Sequence, residues 1–309
     1  MAYLGIDSSN YRSSVGVVFE DNSYISNRKL LFVEKGKRGL RQSDAVFLHT
    51  KQLPDILADT LNGLERKDIK CVSVSATPRN VENSYMPCFL SGLALAKSVS
   101  AALNVPMYEF SHQEGHIAAA ILSANRLDLL NKRFIAFHLS GGTTEALLVE
   151  PFNGRFNVKI IGKTLDINAG QVIDRVGVML GLSFPGGPEL EILAEKGKLC
   201  RKIKPCIKGY DLAFSGVENI CKDLLCKNEP YENIAATALN YVVLTVLELA
   251  LKIKEFYGDL PFVFSGGVAA NKFLRKTISE KLNADFASSE LSGDNAVGTA
   301  LLGKLKTEN

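Results

Sequence analysis

Apolar and polar positions change their period several times along this chain. Residues 3–7 and 14–19 are short β-rich runs separated by the polar turn Ser8-Ser9-Asn10-Tyr11, a pattern that predicts a hairpin. The same arrangement returns at residues 134–139 and 146–149, around Ser140-Gly141-Gly142-Thr143-Thr144-Glu145. The repeat reads as an internal duplication with one copy in each half of the chain. A third run, residues 262–265, meets Gly266-Gly267 and leads into a helical stretch from Lys272, as a strand feeding a helix N-terminus does. Helical periodicity is clearest at residues 47–61, 92–103, 171–180, 235–256 and 295–305. Strands and helices mixed in both halves predict an α/β fold. The polar stretch Asn131-Lys132-Arg133 closes a helical region and sets the expected boundary between a first domain, 1–130, and a second, 131–309, whose last helix can pack back on the first.

Composition adds what periodicity leaves open. Of 309 residues 46% are hydrophobic and 22% charged, which excludes disorder, collagen and coiled coil. That length exceeds what one core usually fills, so two lobes with a central cleft are expected. Lys and Arg outnumber Asp and Glu by 36 to 33, too small an excess for a surface built throughout to hold nucleic acid. The six cysteines form no C-x-x-C pair and read as reduced thiols. The N-terminus lacks the pattern of a signal peptide, and no run reaches the roughly 18 apolar residues of a membrane span. A cytoplasmic location without membrane contact is the expectation.

Two sets of residues suggest chemistry. Turns rich in Ser, Thr and Gly let backbone N–H groups approach phosphate oxygens. Taken alone, Ser140-Gly141-Gly142 serves a plain tight hairpin just as well. Two duplicated hairpin turns followed by Ser265-Gly266-Gly267 before a helix resemble the phosphate and adenosine grammar of the actin, heat-shock-chaperone and sugar-kinase (ASKHA) fold, with its duplicated RNase H-like lobes. The second set is Ser111-His112-Gln113-Glu114-Gly115-His116, with imidazoles at i and i+4 on one helix face. Ser111 as N-cap and Glu114 at N3 predict a capping box. Two solvated histidines are the plain reading of such a pair. Three of the chain's four histidines, His112, His116 and His138, nevertheless fall in this motif or beside a phosphate-type loop. A third ligand is needed, and Asp294 is the best carboxylate; two His and one carboxylate suit iron or zinc.

Together these motifs resemble the TsaD family, the enzymes that make threonylcarbamoyladenosine in tRNA. His112-Gln113-Glu114-Gly115-His116 matches its H-x-E-G-H motif, and residues 139–145 resemble its V-S-G-G-H-T-Q loop. Ile173-Asp174-Arg175, Pro185-Gly186-Gly187-Pro188, Phe214-Ser215-Gly216, residues 266–271 and Asp294-Asn295-Ala296 follow in order. The resemblance implies that His112, His116 and Asp294 hold one divalent metal, Fe2+ first and Zn2+ second, with His138 as an extra ligand. It implies that Ser140, Gly141, Gly142, Thr143, Thr144, Asp174, Gly187 and Asn271 bind the adenylate of threonylcarbamoyl-AMP. It also implies an acyltransferase acting on N6 of the tRNA adenosine next to the anticodon, with a TsaB-like partner protein. No catalytic acid or base is assigned.

The chain departs from the family pattern in places. Tyr11-Arg12-Ser13 stands where Asp-Glu-Thr is usual, which reverses the local charge and favours an anion over general-base work. Residues 166–171 read Asp-Ile-Asn-Ala-Gly-Gln in place of Asp-Asp-Ala-Ala-Gly-Glu, and Ser215-Gly216-Val217-Glu218 replaces Ser-Gly-Leu-Lys. These changes motivate an alternative, a transfer-inactive metal- and nucleotide-binding paralogue serving as scaffold or regulator. A third reading is a small-molecule kinase of the same fold with Asp7 on Mg2+, in which the histidine pair has no task. Basic clusters at Arg28, Lys29, Lys35, Lys37, Arg38 and Arg41 and at residues 196–208 read first as solvated surface, with RNA phosphate as the alternative.

Overall fold

The computed structural model describes residues 1–9, 11–32, 40–288, 290–291 and 295–308. They fall into two units: Met1–Lys132 with Glu150–Val158 and Glu290–Asn309, and Arg133–Val149 with Lys159–Ser289. The first unit therefore takes back two segments from beyond residue 130. One of them is the last helix, which covers the sheet of that unit.

In the first unit the hairpin β1 (Ala2–Ser9) and β2 (Arg12–Phe19) pairs antiparallel with Asp7 opposite Ser14. β3 (Tyr24–Leu30), α1 (Gln42–Thr60), β4 (Ile69–Thr77), α2 (Phe89–Leu103), β5 (Met107–Ser111) and α3 (His112–Ser123) follow, and α9 (Ala296–Glu308) completes the unit. The sheet order is β3-β2-β1-β4-β5. Period-two alternation sends Leu4 and Ile6 into a core with Leu53 of α1 and Ala96 of α2. Gly5 instead lies against α9, where a Cβ would run into the Ala296 carbonyl. β1 is thus buried on both faces, all eight residues of it.

The second unit holds β6 (Phe134–Leu139), the start of β7 (Thr144–Phe152) and the end of β8 (Arg155–Lys163), whose adjoining ends at residues 150–158 belong to the first unit, and then α4 (Ala169–Met179) and α5 (Gly187–Ala194). The short pair β9 (Ile207–Lys208) and β10 (Asp211–Leu212), α6 (Ser215–Cys226), α7 (Tyr231–Tyr257), β11 (Phe262–Ser265), α8 (Lys272–Ser279) and β12 (Ala284–Phe286) follow. The sheet order is β12-β11-β6-β7-β8, with β6–β7 antiparallel and β11 parallel to β6. α7 corrects one expectation: by length and hydropathy it could cross a membrane. Its apolar side chains, from Ile234 to Ile253, fill the core of this unit with Leu190, Phe214 and Leu274. A central core helix is apolar on most sides for the same reason as a membrane span, because few of its positions meet water.

Candidate functional site

In the first unit the site begins at the junction of β5 and α3. Ser111 is the N-cap, and the capping box expected with Glu114 is present. The Ser111 N–H and hydroxyl donate to Glu114 Oε2 at 2.8 and 2.7 Å, while the Glu114 N–H donates to Ser111 Oγ at 3.3 Å. His112 and His116 come together on the next turn, with ring centroids 4.6 Å apart in a T-shaped arrangement. His112 Nδ1 lies 3.0 Å from Asp7 Oδ1. Burial would raise the Asp7 carboxyl, but the His112 charge and hydrogen bonds from His112, Ser75 and Ser9 outweigh it and hold the group well below the usual carboxylate range. The Asn295 amide nitrogen lies 2.8 Å from His112 Nδ1 and 3.2 Å from Nε2, and Asn295 Oδ1 is buried without a partner.

These residues fit a metal in their donor chemistry: two imidazoles on one face, one of them oriented by a buried carboxylate as metal-bound histidines commonly are. Asp294, the expected third ligand, lies outside the described residues. Among the described residues no group of three His, Cys, Asp or Glu side chains forms. His138 stands in the second unit, with Nδ1 3.2 Å from Ser265 Oγ. Its part as an extra ligand stays an expectation from sequence.

The second unit holds a pocket of about 380 Å3 whose lining includes Gly141, Gly170, Asp174, Gly187, Glu191, Leu239, Val268 and Asn271. Four of the expected nucleotide-binding residues, Gly141, Asp174, Gly187 and Asn271, meet there. Asp174 Oδ1 accepts from the Gly186 N–H at 2.9 Å and so ties α4 to the loop before α5, leaving Oδ2 for a ligand. Asn271 Oδ1 caps α8 through the Leu274 N–H at 2.8 Å, leaving its amide nitrogen as a donor. Gly170 brings the α4 N-terminus against the hairpin turn: its N–H donates to Ser140 O, and a Cβ would stand 2.5 Å from the Gly141 nitrogen. Ser140, Gly142, Thr143 and Thr144 are not part of this wall. Ser140 Oγ accepts from the Thr143 N–H at 3.0 Å within its own turn. Thr144 is buried, and its hydroxyl accepts from the Ala169 N–H at 2.9 Å. Sequence reasoning missed Glu191, whose Oε1 accepts from the Lys272 N–H at 2.8 Å on the pocket rim. Its only local signal is the position one turn after Gly187.

The departures find local partners. Asn168 and Gln171 form the capping box of α4, so the amide of Gln171 at N3 reaches the N-cap N–H without the charge of a glutamate. Glu218 pairs with Arg175 at 3.0 Å and with Lys222 at 2.7 Å, and both cations hold its carboxyl below the usual range. Tyr11 is exposed, and its carbonyl accepts from the Leu31 N–H. His49 is fully buried, with Nδ1 2.8 Å from Ser13 Oγ and Nε2 unpartnered. Of the first basic cluster, Lys35, Lys37 and Arg38 lie outside the described residues; Arg28 donates to the Glu290 carbonyl at 2.9 Å.

The family model for TsaD, tRNA N6-adenosine threonylcarbamoyltransferase, matches residues 26–301. The chain belongs to the TsaD family. Its relatives include a tRNA N6-adenosine threonylcarbamoyltransferase of Kosmotoga olearia, 32% identical over 98% of this chain and 92% of its own length. Another, from Thermus thermophilus, is 32% identical over 97% of this chain and 91% of its own. Among solved structures, T. kodakarensis HypF aligns with a TM-score of 0.65 at 17% identity, over 99% of this chain and 48% of that one. A ROK family glucokinase from Streptomyces griseus aligns with a TM-score of 0.55 at 10% identity over the full length of both. At such identities these structures bear on the fold alone: this TsaD member has the actin, heat-shock-chaperone and sugar-kinase architecture expected from its duplicated hairpins.

Proposed function

We propose that this TsaD member transfers the threonylcarbamoyl group of threonylcarbamoyl-AMP to N6 of the adenosine next to the anticodon in tRNA, together with a TsaB-like partner. The observation that carries the reading is the meeting of Gly141, Asp174, Gly187 and Asn271, from four separate motifs, on one pocket. That pocket would take the adenylate. The Gly141 backbone N–H lies at the hairpin turn, open to a phosphate oxygen. The Asn271 amide nitrogen offers a donor, and the free Asp174 oxygen an acceptor for a ribose hydroxyl. In the transfer the adenine amine attacks the carbamoyl carbon, the C–N bond forms, the C–O bond to phosphate breaks, and AMP leaves with the electron pair while the amine gives up a proton.

His112 and His116, with Asp294, would hold one divalent metal, iron first and zinc second. When bound, it supplies Lewis-acid polarisation to the carbamoyl-phosphate end of the substrate. Asp7 orients the His112 ring through Nδ1. Catalysis on this reading is positioning and charge stabilisation, for which no side-chain nucleophile is required.

The test is nucleoside mass spectrometry on unmodified tRNA incubated with the protein, threonylcarbamoyl-AMP and a TsaB-like partner. Threonylcarbamoyladenosine that disappears with His112→Ala is the expected result, and Tyr11-Arg12 is then a tolerated variant. A protein that binds AMP and metal yet yields no product overturns the transferase reading in favour of the scaffold.

A further inference from the structure

We infer that Arg155 is a positioning residue for the metal helix: by clamping the buried Glu114 carboxylate it sets the angle at which His112 and His116 are presented to a divalent metal. The inference deepens the proposed function, because it rests on the assignment of that metal to the two histidines.

Glu114 sits between the two histidines in sequence and is 0% exposed. An ordinary capping box asks only that the N3 side chain reach the N-cap N–H, and it works at a helix surface in water. Here the carboxylate accepts from five donors. Oε2 takes the Ser111 N–H and hydroxyl and Arg155 Nη2 at 2.9 Å; Oε1 takes Arg155 Nε at 3.0 Å and the Phe156 N–H at 3.2 Å. The Arg155 contact is a two-pronged fork, and the guanidinium also lies 5.9 Å from the centroid of the Phe110 ring. A lysine could supply the charge but not the fork. A buried carboxylate stripped of the fork that holds it turns away from its remaining donors, and that loosens the first turn of α3.

That turn is gripped on a second side. Gly115 packs so closely on α9 that a Cβ at Gly298 would run into its carbonyl. Rotation of α3 is therefore opposed by backbone contact on one side and by the Arg155 fork on the other. Metal–nitrogen distances vary by only about 0.2 Å in a working site, so a small rotation is enough to spoil the pair. Arg155 belongs to none of the family motifs and touches neither histidine, so its part would be indirect.

The test uses the full chain and Co2+ alone as the probe, titrated without oxygen, with the visible d–d bands reporting the ligand set. Wild type binds Co2+ and His112→Ala does not. Arg155→Met weakens binding by roughly 10- to 100-fold and shifts the bands, and Arg155→Lys, which keeps the charge and loses the fork, falls between. Arg66→Met is the control for general loosening, since Arg66 donates to the Leu61 and Leu64 carbonyls at 2.6 and 2.8 Å in the same unit. It lowers the melting temperature and leaves Co2+ affinity unchanged. A folded Arg155→Met with wild-type affinity and bands overturns the inference, as does an equal loss of affinity in Arg66→Met. If Arg155→Met does not fold, Arg155→Lys decides by the same readout. Wild type that ignores Co2+, or His112→Ala that still binds it, instead overturns the metal assignment beneath the inference.

Discussion

On α3, Asp7 and Glu114 fix the histidine pair with buried charge, whereas around the pocket of the second unit glycines and backbone groups do the fitting. The first arrangement suits a cation, whose ligands must be held to a narrow geometry and whose surroundings must carry negative charge. The second suits a nucleotide, for which shape and a few free donors matter more than net charge. Polar side chains of the pocket serve the fold with one oxygen: Asp174 ties α4 to the loop before α5, and Asn271 caps α8. The charged side chains around the histidines are instead paired, Asp7 with His112 and Glu114 with Arg155. The two regions should therefore fail differently, the pocket to added volume and the helix of the histidine pair to altered charge.

The largest expected effect comes from filling the closest approach in the pocket. Gly170→Val sets side-chain atoms against the Gly141 backbone, which has no flexible end to move aside. AMP affinity should fall roughly 100-fold and stability by about 1–3 kcal/mol, read by calorimetry and thermal melting. Unchanged AMP affinity would break the claim that shape governs this unit.

A smaller effect sharpens the contrast from the other side. Burial pushes the His49 imidazole down to about 4 from 6.5, against a smaller opposing pull from the Asp7 charge. The folded state keeps His49 neutral, so its contribution is complete above the unfolded value of 6.5 and is lost as pH falls toward 4. The loss should reach no more than about 3 kcal/mol. Urea titrations at several pH values check it, and His49→Leu should flatten the slope within that window. A slope that survives the substitution assigns the pH dependence to other groups.

Smallest is the effect of Asn271→Ala. Losing the cap of α8 should cost about 1 kcal/mol, and losing the amide donor about tenfold in AMP affinity. Asn271→Asp retains an acceptor for the Leu274 N–H but no donor. It should restore stability without restoring affinity; recovery of both would deny Asn271 a direct role in binding.

The sequence was most informative where the cause is local. The Ser111–Glu114 capping box was legible because it needs residues three apart, and the hairpins because alternation and turn chemistry lie side by side. β4 was not singled out: Ser73 and Ser75 look like a solvent face, yet both are fully buried. Gly303 of α9 leaves room for Ser73, and Thr299 bonds Ser75 at 3.2 Å. Within the phosphate-type loop, sequence placed five consecutive residues at the nucleotide. The structure puts Gly141 on the wall of the second unit's pocket and turns the Thr144 hydroxyl inward to Ala169.

By itself the sequence determined the α/β character, the duplicated hairpins, the family and the histidine pair, because period, turn chemistry and i, i+4 spacing act over a few residues. Only the tertiary structure decided that Arg155 grips Glu114 across 41 positions and that Glu191 reaches Lys272 across 81. It alone decided that Asp7 belongs to His112, 105 positions away. Such partners are chosen by which buried charge or N–H group remains unmatched once the helices have packed, and nothing in the local spacing of residues records that choice.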